Sequence, residues 1–373
     1  MPFKEFAAVG VLAGAMLFRM FGVFVALPLA AVFAASLPGG DAAWAAGLAL
    51  GGYGITQAIL QLPAGMLADR FGRKPVMIFM LLVFAAGGFV AAAAETVWQL
   101  AGGRLLQGGG AVAAVAAAWI SDVTAPQRRA RAMLVYGAAI ALAFVASLFA
   151  APPLAGAFGL PSVFELSGWL GILSAAAVAA LPAPPNSAST SRGGAMNRRI
   201  AAYAACAFIA HYALAAVFLQ IPALLRRELP LGEHWLVYAP AFLLSLPVSL
   251  PLIFAEKRIR AAAAAFALLA AGAALMLSDG GIWRIGAGLG VFFAGFVVVE
   301  AVIPARASRA APPQKRGAAL GAVMGAEFFG MFCGATGSGA LLDFAGTGAA
   351  FWTLILFLAA GCGIMYGIPR GES

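Results

Sequence analysis

Residues Gly65 to Lys74 read GMLADRFGRK, which puts one carboxylate and three cations into ten residues lying between two long apolar stretches. Asp69, Arg70, Arg73 and Lys74 are too costly to bury in hydrocarbon, so they mark a water-facing turn between two spans. Pro63 and Gly65 permit a close helix approach ahead of this turn, and Gly72 lets the short connection reverse direction. Outside such turns charge is scarce. Of 373 residues, 63% are hydrophobic and 10% charged, whereas a soluble domain carries about 25% charged residues. A water-soluble globule is thereby excluded. One span with its connection takes about 30 residues, which leaves room for about twelve.

Apolar runs long enough to cross a bilayer occupy 6–32, 44–67, 75–94, 97–120, 132–157, 164–181, 199–222, 236–254, 261–277, 283–305, 317–342 and 349–368. They are continuous and lack the alternation of a barrel strand, so twelve transmembrane helices are expected. The first run follows Lys4 and is far longer than a signal-peptide core, which predicts a retained span. Cations decide the orientation. With the N-terminus in the cytoplasm, 18 of the 23 Lys and Arg fall inside, including Arg128, Arg129, Arg131, Arg192, Lys257, Arg258, Arg260 and Arg370. Arg226, Arg227 and Arg284 fall outside, and Arg19 and Arg104 lie within spans. This asymmetry predicts a multi-pass protein of a bacterial inner membrane with both termini cytoplasmic. Trp44, Trp98, Trp235 and Trp283 fall at outer span ends, as an interfacial belt would place them.

The Pro/Ser/Gly-rich stretch 182–198 reads as a cytoplasmic linker between an N-terminal six-helix bundle (1–181) and a C-terminal one (199–373). The two halves echo each other. Asp69 and Arg70 correspond to Glu256 and Lys257, and Pro126-Gln127 corresponds to Pro313-Gln314, both at an offset of 187 residues. Six is even, so a duplicated unit keeps its topology and the halves relate about an axis along the membrane normal.

The G-x-L-A-D-R-x-G-R-K form of residues 65–74 resembles the major facilitator superfamily. Arg104, Gln107, Gly108 and Gly110 resemble its R-x-x-Q-G-x-G segment in the fourth span. RMFGVFVALP (19–28), YGITQAILQLPAG (53–65), EHWLVY (233–238) and the stretch from Glu300 to Gly334 look like the YajR-like branch of bacterial drug:proton antiporters, without the soluble C-terminal domain some members carry. In the fifth span the antiporter branch's glycine-rich segment is replaced by Ala150-Ala151-Pro152-Pro153-Leu154-Ala155-Gly156, so export and uptake both stay open. The resemblance implies a conformational latch of Gly65, Asp69, Arg70, Gly72, Arg73 and Asp122. In it Asp69 faces the start of the eleventh span near Gly317, and Arg73 pairs with Asp122.

Ionisable groups inside spans cost about 2.5–3.5 kcal/mol each on insertion scales, so they face a cavity or a partner. Glu327, Glu300 and His211 are the candidates for proton coupling, because a desolvated Glu or a His can titrate near ambient pH. Arg19 and Arg104 hold their protons and are cast as charge partners or anion ligands. Gln57, Gln61 and Gln107 are candidates for lining the cavity. Cys206, Cys333 and Cys362 show no ligand spacing, and neither HExxH nor GxSxG occurs, so no catalytic residue, cofactor or metal is expected. The cations do not gather on one soluble surface, which argues against nucleic acid. The expected activity is proton-coupled export of a small amphipathic substrate by a monomer in the lipid bilayer. Symport or facilitated uptake is the alternative, and a non-transporting sensor or assembly protein is the reading from another class.

Overall fold

The computed structural model describes residues 3–184, 196–255, 259–277, 281–312 and 315–368, and every regular element among them is helical. The helices are α1 (Phe3–Phe24), α2 (Ala30–Ala35), α3 (Ala43–Phe71), α4 (Arg73–Ala92), α5 (Val97–Gly108), α6 (Ala113–Val123), α7 (Arg129–Phe158), α8 (Leu160–Ala180), α9 (Arg198–Leu225), α10 (Trp235–Phe254), α11 (Ile259–Leu277), α12 (Ile282–Ala310) and α13 (Arg316–Gly367). Helices α1 and α2 make one crossing, α5 and α6 make another, and α13 makes two, which gives the expected twelve. Among the described residues, nine helical stretches are long and apolar enough to span by themselves, with α13 counted once. Helix α11 is slightly shorter, and α3 is made more polar by Gln57, Gln61 and its charged end.

The breaks within spans have local causes. Gly108, Gly109 and Gly110 lower the cost of leaving the helix between α5 and α6, where the chain passes against Tyr53 and Phe84. As one straight helix, α13 would extend ~78 Å, over twice a bilayer core. Its turn is made at Gly346, whose φ of 83° suits glycine alone. Gly159, with a φ of 85°, makes the corresponding turn between α7 and α8, 187 residues earlier. The offset read from the charged turns is therefore repeated in the backbone. Its partner motif at Glu256, Lys257, Arg258, Pro313 and Gln314 lies outside the described residues, as do Arg192, Arg370 and most of the 182–198 stretch; the side chain of Arg260 is likewise not described.

Span ends differ modestly from the sequence expectation. The sixth span begins at Leu160 rather than 164, because Pro161 at the start of a helix removes a donor that has no partner there. The first ends its regular helix at Phe24 and continues through turns to α2.

Helices α3 and α13 pack backbone to backbone at one end only. A Cβ on Gly47 or Gly54 would collide with the carbonyl oxygens of Ala335 and Phe328, and one on Gly51 would sit 2.8 Å from that of Met331. At the other end of α3 the helices part. Gly65, Gly317 and Gly325 have open space where a side chain would project, and Met66 is 72% exposed. The halves thus meet backbone to backbone at the Asp343 end and make no such approach at Gly65, Gly317 or Gly325. Phe144 of α7 adds to the closed side, with ring centroids 6.1 Å from Phe242 and 6.3 Å from Phe293 and Phe296 of the second half.

Candidate functional site

The second half brings together three of the predicted ionisable groups. His211 lies on α9, Glu300 on α12 and Glu327 on α13. His211 Nδ1 is 3.0 Å from the Ala207 carbonyl and Nε2 is 3.5 Å from Glu300 Oε1. A carbonyl only accepts, so the hydrogen bond to Ala207 assigns the proton of the neutral ring to Nδ1. Nε2 then faces the carboxylate. A proton on Nε2 or on Glu300 would make this 3.5 Å approach favourable. Glu327 interacts electrostatically with both partners. The Glu300 side chain is 42% accessible while the adjoining imidazole is 12% accessible. The Phe296 ring, 5.4 Å from the imidazole, closes the other side.

The first half holds cations where the second holds acids. Arg104 is fully buried and donates to the carbonyls of Ala49 and Leu50, both at 3.3 Å, and to Gln107 Oε1 at 2.7 Å. Its guanidinium lies 4.5 Å from the Tyr53 ring centroid, and Gln107 passes the network on to Ser167 at 2.8 Å. Arg19, also fully buried, donates to Gln57 Oε1 at 2.5 Å and lies over the Phe84 ring. Neither arginine pairs with a carboxylate among the described residues, so their expected role as partners of the acidic groups is not what this conformation holds. Gln57 and Gln61 are fully buried rather than lining an open cavity, because α3 presses that face inward.

Around Gly65–Lys74 the chain builds a compact ionic cluster. Gly72, with φ 94°, turns the chain from α3 straight into α4, so Arg73 stands at the head of the new helix. Arg73 Nε donates to Asp122 at 3.0 Å and its Nη1 donates to Asp69 at 2.6 Å. Lys74 donates to the Leu181 carbonyl, and Arg70 lies against the Phe71 ring. Asp69 therefore meets Arg73 rather than the start of α13. The separation of α3 from α13 at this end accounts for the difference.

Asp343 is a residue that sequence reasoning missed. From the closing end of α13's first crossing it accepts hydrogen bonds from the backbone N–H groups of Ala43 at 3.0 Å and Trp44 at 2.9 Å. It caps α3 in trans, from the other half of the molecule. The 187-residue offset pairs Asp343 with Gly156, which packs against Gly232 at the start of the eighth span. That offset was the available signal, since it aligns an acidic residue with a glycine at one mouth. The inter-half contacts of Phe144 were likewise illegible, because nothing in a phenylalanine-rich sequence separates a plug from ordinary packing.

The profile of the Major Facilitator Superfamily matches residues 7–305. The chain belongs to the major facilitator superfamily. Its similarity to the inner membrane transport protein YajR of Escherichia coli is 31% identity over 335 residues, covering 85% of this chain and 73% of that one. The uncharacterized transporter BU466 of Buchnera aphidicola subsp. Acyrthosiphon pisum is 27% identical, covering 85% and 86%. Among solved structures, a bacterial homologue of the human lysosomal transporter Spinster, inward-facing and unoccupied, superposes with a TM-score of 0.78 at 14% identity, over 98% of this chain and 97% of that one. The human organic anion transporter MFSD10 superposes at 0.70 with 18% identity, over 98% and 100%. This superfamily member is a multi-pass membrane transporter, not an enzyme, with twelve spans in two pseudo-symmetric halves.

Proposed function

We propose that the chain is a proton-coupled secondary transporter that exports a small amphipathic compound by alternating access. The observation that carries this reading is the His211–Glu300 approach, 3.5 Å between Nε2 and Oε1, which supports a proton site shared by these two groups with Glu327 in electrostatic contact with both. A carrier has to load and release its proton from opposite sides, and a proton held between groups on α9 and α12, next to the movable α13, can be exchanged as the helices shift. The six-helix bundles are residues 1–181 and 199–373, joined by 182–198, and they rock about the central space as a monomer.

The cationic turns are placed in the cytoplasm by the positive-inside rule, so the open Asp69 end is the cytoplasmic one and the conformation is inward-facing. In this conformation the Asp69–Arg73–Asp122 cluster is disengaged from α13. It becomes the latch of the opposite state, when Asp69 reaches the start of that helix, while Asp343 holds the present one.

Reconstituted vesicles with an imposed pH gradient test the coupling. Substrate-driven proton movement in the opposite direction supports antiport, and co-directional movement replaces it with symport. Vesicles in which bound ligand never crosses would favour a sensor instead.

A further inference from the structure

Each nitrogen of Arg104 has a partner in its two carbonyls and Gln107, whereas one nitrogen of Arg19 has none. A guanidinium offers five donors. Arg19 spends its terminal nitrogens on Gln57 Oε1 and the Met20 sulfur, and its Nε has no partner. Gln57 Nε2 is equally unpaired, and Gln61, one turn further along the same buried face of α3, has both its amide oxygen and its amide nitrogen unpaired. Arg19 and Gln57 are in contact, Gln61 lies one turn along on the same helix, and no carboxylate pairs with Arg19 among the described residues. Leaving a buried donor unsatisfied is costly, and a buried unpaired charge costs more, so the arrangement suits a ligand that brings acceptors and negative charge.

We propose that Arg19, Gln57 and Gln61 form the binding site for the carboxylate of an amphipathic organic acid. A carboxylate matches the planar fork of a guanidinium and accepts from the two amides. The surroundings select an organic anion over an inorganic one, because Met20 and Phe84 flank the charge and Met16 and Tyr136 belong to the same buried cluster. Met324 of α13 packs against that cluster from the other half. The 187-residue offset pairs Arg19 with Cys206, which confines this chemistry to one half. The proposal rests on the transport reading only in making this ligand the transported compound.

Thermal unfolding of the purified full chain in detergent, with benzoate as probe, benzamide as its neutral counterpart and chloride as the inorganic anion, tests the site without any transport measurement. Benzoate is expected to raise the midpoint by several degrees in the wild type and in Glu327→Gln, with no rise from benzamide or chloride. Arg19→Gln is expected to abolish the response. Gln61→Glu, which supplies an internal carboxylate, is expected to raise the midpoint without ligand and to remove the benzoate effect, so a folding defect in the arginine variant does not stand in for loss of the site. The proposal is overturned if benzoate has no effect on the wild type, if chloride matches it, or if Arg19→Gln responds fully. A benzoate response without proton-driven transport would remove the coupling and keep the site; proton-driven transport without a benzoate response would do the reverse.

Discussion

The proposed proton site at His211 and Glu300 makes the sharpest statements about individual residues. Glu300→Gln leaves the imidazole with an amide that needs no second proton, so gradient-driven transport should fall at least tenfold while exchange of substrate across vesicles without a gradient persists. Glu327→Gln should behave similarly, measured in the same vesicles. At the ionic cluster, Asp122→Asn removes one carboxylate from Arg73, which is 9% accessible. The expected cost is about 1–3 kcal/mol, read as a lower unfolding midpoint, with ligand binding retained. The sequence made these residues visible because a charge inside an apolar run stands out. It could not show which of them meet. His211, Glu300 and Glu327 come from three helices up to 116 residues apart, and neither composition nor spacing encodes that convergence. Arg19 and Gln57 were legible as polar exceptions, but their contact with each other and their complete burial were not.

At the scale of elements, the closed mouth is held by glycine and by a cap. Exposed N-cap removal costs about 0.5–2 kcal/mol, so Asp343→Ala should shift the population away from the closed mouth by about two- to thirtyfold, at 1.4 kcal/mol per factor of ten. The measurement is the rate at which a thiol reagent labels a cysteine placed at Ala340. Unchanged labelling would show that the cap holds nothing shut. Gly47→Val should have the same direction and a larger effect, because its side chain meets the Ala335 carbonyl oxygen and cannot move aside. Spans were legible from hydropathy to within a few residues, since a bilayer imposes a length. The turns at Gly159 and Gly346 were not, because a glycine in a glycine-rich chain gives no sign that it needs a positive φ.

For the whole molecule, duplication built the frame and divergence built the chemistry. Backbone turns at Gly159 and Gly346 keep the 187-residue register, yet Arg19, Arg104, Glu300 and Glu327 align with Cys206, Val291, Ala113 and Ile140. The buried arginines Arg19 and Arg104 lie in one half, and Glu300 and Glu327 lie in the other. A space between two such halves is polarised, so protonation state and ligand charge bear on the same inter-half equilibrium. The account stands on the claim that this equilibrium alternates between the two ends. Spin labels on a background without Cys206, Cys333 and Cys362, paired as Ala42 with Ala340 at one end and Leu67 with Gly317 at the other, report both distances in lipid nanodiscs at pH 8 and pH 5.5. The account predicts that the change in pH lengthens one distance as it shortens the other, and that Glu300→Gln with Glu327→Gln removes the pH dependence. Two distances that stay fixed, or that lengthen together, would contradict it.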